Sequence, residues 1–203
     1  MCGILGYFNL NNTADFNSEF SKSLEMLSHR GPDQFGVVQF KSKNTIGEFG
    51  HTRLSIIDLS ENGNQPMKSK CGRYSLVFNG EIYNYKEIKK QLISEYNYEF
   101  NSSSDTEVLL ASWSIWGKSS IRKFKGMFSF VIYDYDYNKL TCVRDAFGIK
   151  PFYYSIDSNN FYFSSEIPPI LALNPRLKEV NYQKSFEYLL NGTYDDSEET
   201  FFK

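Results

Sequence analysis

Histidine is nearly absent from these 203 residues: there are two, His29 and His51, beside three cysteines, Cys2, Cys71 and Cys142. The cysteines are odd in number and far apart, with no Cys-x-x-Cys, which argues against both a zinc site and a disulfide framework. Long apolar runs are also missing. None approaches the roughly 18 residues of a membrane span, and no basic region precedes an apolar segment at the N-terminus. Charge of one sign is scarce as well: 22 basic against 24 acidic residues leave a net charge of -2, without a dense Lys/Arg cluster. That excludes the electrostatic footprint of nucleic-acid or anionic-membrane binding. The expectation is a cytoplasmic chain acting on a small molecule, since free thiols suit a reducing compartment.

At 41% hydrophobic, the chain is long enough for one core. Residues 3–9 read as a buried strand ending at the Asn11-Asn12-Thr13 cluster. Phe16, Phe20, Leu24 and Leu27 mark one face of a helix that stops before Arg30-Gly31-Pro32-Asp33. Strands follow at 35–40, 45–57 and from Tyr74 into Asn79-Gly80-Glu81, the last two separated by a polar loop, 58–72. Ile88, Leu92 and Tyr96 predict a helix, and Ser104-Asp105-Thr106-Glu107 is a capping box opening another that ends at Gly117. From Gly126 the pattern turns to strands, at 128–133, 139–144, 151–155 and 160–165, the last two a hairpin through Asp157-Ser158-Asn159-Asn160. Ser185 to Asn191 read as helical, Asp195 to Glu199 as an acidic loop, and Thr200-Phe201-Phe202-Lys203 as a strand beginning where the chain is cut. Strands joined by short turns, with helices between groups of strands, predict an α+β fold with largely antiparallel sheets.

Four places carry candidate chemistry. Removal of Met1 would leave Cys2 with a thiol and a free α-amine on one residue, a nucleophile and a base together. Asn79-Gly80 offers a side-chain and a backbone N–H to an oxyanion; taken alone, Asn-Gly is also a favoured hairpin turn, as Asn62-Gly63 and Asn191-Gly192 are expected to be. Arg53 and Asp105 suit the carboxylate and ammonium of an amino acid. Taken singly, they read more readily as a solvated strand residue and an acid in a helix's first turn. His51, two residues from Arg53, is a rival base, with His29 the weaker candidate.

Taken together, Met-Cys-Gly-Ile, His29-Arg30-Gly31-Pro32-Asp33, His51 to Asp58, Asn79-Gly80-Glu81-Ile82-Tyr83-Asn84 and Ser104 to Glu107 occur in one order. Gly126 to Phe130, Arg144 to Pro151 and Ser164-Ser165-Glu166 extend the series over nearly the whole chain. The sequence closely resembles the glutaminase domain of the glutamine-hydrolysing asparagine synthetase family, class II amidotransferases among the N-terminal nucleophile hydrolases. The resemblance implies a four-layer αββα sandwich, a domain covering 1–203, and hydrolysis of L-glutamine through a γ-glutamyl thioester. It implies Cys2 as nucleophile with its own amine as base, Asn79 and Gly80 as oxyanion hole, Arg53 on the substrate carboxylate, and Glu81 and Asp105 on its ammonium. No metal or cofactor is expected in this domain. ATP and magnesium belong to a C-terminal synthetase domain whose Ser-Gly-Gly loop does not occur here, and residues 195–203 are expected to begin the connection to it.

Pro168-Pro169 departs from the family, which usually carries a lysine after the Ser-Ser-Glu-Ile of residues 164–167. Two other readings compete. One keeps the glutaminase and gives its parent a different acceptor, such as a carboxylate on a surface-polysaccharide sugar. The other is a non-catalytic glutamine-binding module, which would need Arg53 and Asp105 but not Cys2.

Overall fold

Gly3–Asn9 forms β1, and every one of its residues is buried. In the computed structural model, which describes residues 1–11, 18–42, 44–193, 197 and 199–202, this strand is the centre of a five-stranded sheet. It pairs antiparallel with β3 (Ile46–Arg53) on one side and with β9 (Asn160–Ser164) on the other. β2 (Gln34–Lys41) and β8 (Tyr153–Ile156) close the edges, giving the order β2-β3-β1-β9-β8. A second sheet has the order β4 (Met67–Lys68), β5 (Tyr74–Ile82), β6 (Gly126–Asp134), β7 (Lys139–Arg144), again antiparallel throughout.

Alternation of side chains along the strands builds three apolar layers. Ile4 and Phe8 of β1 turn inward with Phe49 and Phe163 against Val77, Val131 and Tyr133 of the second sheet. Leu5 and Tyr7 turn outward onto Phe20 and Leu24 of α1 (Phe20–Glu25) and Ile170 and Leu173 of α4 (Ile167–Leu173). On the far side, Leu76 and Phe78 of β5 and Phe130 and Ile132 of β6 meet Ile88 and Leu92 of α2 (Tyr85–Tyr96) and Val108 and Leu109 of α3 (Asp105–Trp116). The result is helix, sheet, sheet, helix: an αββα sandwich. Both faces of the central strands are covered, so their sequences read as continuous apolar runs.

Several local readings need correction. β3 ends at Arg53 rather than residue 57, because the next two backbone N–H groups leave the ladder: Leu54 donates to the Cys2 sulfur and Ser55 to Asp33 Oδ2. The 58–72 loop contains β4. α4, a helix the sequence reading did not include, carries Pro168 and Pro169 in its first turn, where residues have no intrahelical partner for an N–H. Ser104 caps α3 by accepting from Thr106 N, but Glu107 reaches past Ser104 to Asn101 N and Ser102 N rather than closing a reciprocal box. α5 (Tyr182–Asn191) starts three residues early, capped by Asn181. Phe202 makes a single bridge with Val180. Asn12, Thr13, Phe16, Asp195, Asp196, Glu198 and Lys203 lie outside the described residues. Among the described residues, no helix is long and apolar enough to cross a membrane.

Candidate active site

Cys2 precedes β1 directly, and the sheet register sets Gly3 opposite Thr52, so the thiol comes to rest where β3 ends. Leu54 N donates to Cys2 Sγ at 3.4 Å. The residue's carbonyl is held from the other side: Arg30 Nε donates to Cys2 O at 3.1 Å, Arg30 Nη1 to Glu166 Oε1 at 3.0 Å, and His29 Nε2 lies 2.9 Å from that same oxygen. Burial pushes the thiol's pKa up, against the opposing pull of the Leu54 N–H, the terminal ammonium and Arg53. A thiol held this way needs a base to become a nucleophile.

The edge of β5 facing away from β6 supplies the next groups. In an antiparallel strand, alternate residues direct both backbone polar groups to the same side. Leu76 uses them on β4. At Phe78, where β4 has ended, side chains take over: Phe78 N donates to Gln65 Oε1 at 2.7 Å, and the buried His51 lies with Nε2 3.1 Å from Phe78 O. At Ile82 the N–H is taken by Asp105 Oδ2 at 3.0 Å. Gly80 falls between them on the same edge. Its partner across the ladder, Phe128, spends both backbone groups on Asp145, so the Gly80 N–H points away from β6 into the cavity it lines. Asn79-Gly80 is thus not a turn but mid-strand. Glycine is required there because a Cβ would stand 2.4 Å from Met127 O and 2.6 Å from Phe128 Cα. Beside it, Asn79 is 1% exposed and its Nδ2 is buried without a hydrogen-bond partner among the described residues. A buried donor left unpaired is costly.

Arg53 projects from the end of β3 into a collar formed by residues 58–64. Its Nη1 donates to Ser60 O at 2.8 Å and to Asn64 Oδ1 at 2.7 Å, and Nη2 donates to Asp58 O. Gly63 lies against this guanidinium so closely that a Cβ would stand 2.2 Å from Nη2. Among the described residues, every partner of Arg53 is neutral, so its charge is uncompensated by any carboxylate at ion-pair distance. Asp105, at the first position of α3, is 5% exposed. Burial raises its pKa to about 6, with nearby Glu81 adding to the shift and the Ile82 N–H opposing it.

One cavity of about 280 Å³ gathers Cys2, Arg53, Asn79, Gly80, Glu81 and Asp105. His51 is not among its lining residues. Fully buried between the sheets, it is held neutral, its pKa driven down to about 3 by desolvation. His29, bound to Glu166, does not line the cavity either. The sequence reading missed Lys150, a buried lysine that does line it, and the anchoring role of Gln65. Lys150 stands inside the Arg144 to Pro151 block already singled out, but nothing local marks it as facing a cavity. Among the described residues, no cluster of His, Cys, Asp and Glu is placed to hold a metal ion.

A family model described as the glutamine amidotransferase domain matches residues 1–203. The chain belongs to this family. This amidotransferase domain is 43% identical over 169 residues to asparagine synthetase (glutamine-hydrolyzing) 1 of Bacillus subtilis, covering 82% of the chain and 26% of that protein. It is 40% identical over 154 residues to amidase chry2 of Gibberella zeae, covering 76% of the chain and 22% of that protein. The domain therefore spans about a quarter of the length of these curated relatives. Among solved structures, glutamine phosphoribosylpyrophosphate amidotransferase from B. subtilis, complexed with ADP and GMP, superposes with a TM-score of 0.70 at 21% identity. That match covers 85% of this chain and 43% of the other, and it shows a shared fold.

Proposed function

We propose that the domain hydrolyses the side-chain amide of L-glutamine through a thioester on Cys2. Once Met1 is removed, the Cys2 α-amine takes the Sγ proton and the thiolate attacks the amide carbon. Asn79 Nδ2–H and Gly80 N–H donate to the oxyanion, the amine returns its proton to the departing nitrogen, and ammonia leaves. Water, activated by the same amine, then releases glutamate. The uncompensated Arg53 binds the substrate carboxylate, and Asp105 with Glu81 binds its ammonium, so the two ends of the zwitterion fix the amide over the thiol. The observation that carries this reading is the unpaired, buried Asn79 Nδ2 in the same cavity as Cys2. A glutamine-binding module would have no use for that donor.

The ammonia supplies an ATP-dependent amidation carried by a synthetase region corresponding to the part of the relatives' length that this domain does not match. ATP and magnesium are required there and not in the hydrolysis. An asparagine synthetase-like parent is the leading assignment. The acceptor stays open to a carboxylate other than aspartate, because relatives of nearly equal identity bear the names asparagine synthetase and amidase.

Ammonia release from L-glutamine, compared between the protein and Cys2→Ala, tests the assignment. Complete loss with an unchanged thermal midpoint is expected. Equal release from both proteins would remove Cys2 as nucleophile.

A further inference from the structure

Lys150 lies 6% exposed in the wall of the cavity, and the one hydrogen-bond contact of its side chain among the described residues is Met1 Sδ, 3.4 Å from Nζ. No carboxylate lies within ion-pair distance of it among those residues. A buried, uncompensated ammonium is expensive and calls for a structural reason. The loop between β7 and β8 is built to hold it in place. Asp145 gathers the N–H groups of Phe128, Phe147, Ile149 and Lys150, while Arg144 donates to the carbonyls of Gly148 and Lys150.

Covalent geometry ties Met1 Sδ to the nitrogen of Cys2, so Nζ stands within roughly 10 Å of that nitrogen. Other charges face the same space. Arg53 at the end of β3 disfavours a protonated amine, and Asp58 in the loop after β3, Glu81 on β5 and Asp105 on α3 favour one. Arg30, bound to the Cys2 carbonyl, is neutralised by Glu166, and the Cys2 thiol is uncharged while its pKa is raised. The three cavity carboxylates would thus hold the amine as ammonium, useless as a base, unless a second cation opposed them.

We propose that Lys150 is the cation that keeps the Cys2 α-amine in its neutral, proton-accepting form after Met1 is removed. This rests on the amine being the base in the mechanism above. Lys150 acts through the amine and takes no part in bond making.

The test begins in a Met1-free Cys2→Ser background, which keeps the α-amine and removes the thiol. Competitive labelling of that amine with acetic anhydride, read by mass spectrometry of the N-terminal peptide, yields its titration curve without any glutamine. Lys150→Met is expected to move the curve up by about one pH unit, the size of one charge at this range in a partly screened site. Lys150→Arg is expected to leave it in place. Lys150→Gln serves if Lys150→Met fails to fold. In the Met1-free enzyme with Cys2 intact, the acid limb of kcat/KM for glutamine moves up by the same amount, with KM within about twofold. Coincident labelling curves for the parent and Lys150→Met would overturn the proposal. So would a raised KM with an unmoved curve, which makes Lys150 a substrate contact. A moved labelling curve with an unmoved acid limb sustains the effect of Lys150 on the amine and instead counts against the amine as base.

Discussion

His51 reaches across the space between the two sheets and donates from Nε2 to the carbonyl of Phe78 at 3.1 Å. The bond fixes the residue just before Asn79, at the point where β4 no longer covers the β5 edge. Gln65 takes the N–H of the same residue, so both backbone polar groups of Phe78 are held by side chains from distant parts of the chain. His51 therefore anchors the strand next to Asn79, and desolvation, which drives its pKa down to about 3, keeps it uncharged near neutral pH.

From this, His51→Ala in Met1-free protein is expected to keep glutamine hydrolysis, reduced by about tenfold or less, with an unchanged pH profile. Stability falls by about 2–4 kcal/mol, since the change opens a cavity and leaves the Phe78 carbonyl unpaired. Chemical denaturation and a pH series of kcat/KM check both parts. Abolished turnover in a folded protein would restore His51 as base.

Retention of Met1 gives the complementary expectation. The Cys2 nitrogen is then a planar amide without a basic lone pair, and hydrolysis drops to near background. Mass spectrometry sorts the two forms, and ammonia assays on each decide. Full activity in the Met1-bearing form would exclude the amine mechanism.

Asn79→Ala removes the unpaired donor. Loss of one oxyanion-hole donor costs about 10²–10³ in kcat, with KM much less affected. Burial of an unsatisfied amide is relieved at the same time, so the thermal midpoint should drop by less than an ordinary core truncation would cause. Steady-state kinetics and calorimetry read the two effects separately.

Asp105→Asn should raise KM for glutamine by roughly 10- to 100-fold, the worth of a charge-assisted bond of about 1.5–3 kcal/mol. Stability should move the other way. The Asp105 pKa rises from 3.8 to about 6 on folding, so the folded state binds the proton more tightly than the unfolded state does. The carboxylate is therefore a destabilising group above pH 6, a cost relieved as pH falls through 6 towards 4. Removing its charge should stabilise the free protein at pH 8 by about 1–3 kcal/mol, and by less at pH 4. Glutamine binding, which needs the ionised carboxylate, should weaken below about pH 6 in the parent and lose that dependence in Asp105→Asn. Isothermal titration on a Cys2→Ala background, where glutamine is not consumed, measures it.

Much of this was legible in the chain itself. The continuous apolar run after Cys2 requires a strand covered on both faces, and Ser104 before the apolar stretch from Val108 fixes the start of α3. The order of the blocks marks the family. The three Asn-Gly pairs show what only tertiary structure decides. Asn62-Gly63 forms a 3-10 turn pressed against the Arg53 guanidinium. In Asn191-Gly192, the glycine caps α5 at φ +71°. Asn79-Gly80 lies in mid-strand on an edge whose neighbouring positions are taken by β4, Gln65, His51 and Asp105. The dipeptide is the same in all three. A backbone N–H becomes available to a substrate only when other elements have used up the groups on either side of it, and those elements come from distant parts of the chain. Lys150 escaped the sequence reading for the same reason: a charged side chain reads as solvated until the fold buries it beside the N-terminus, with no counter-ion among the described residues.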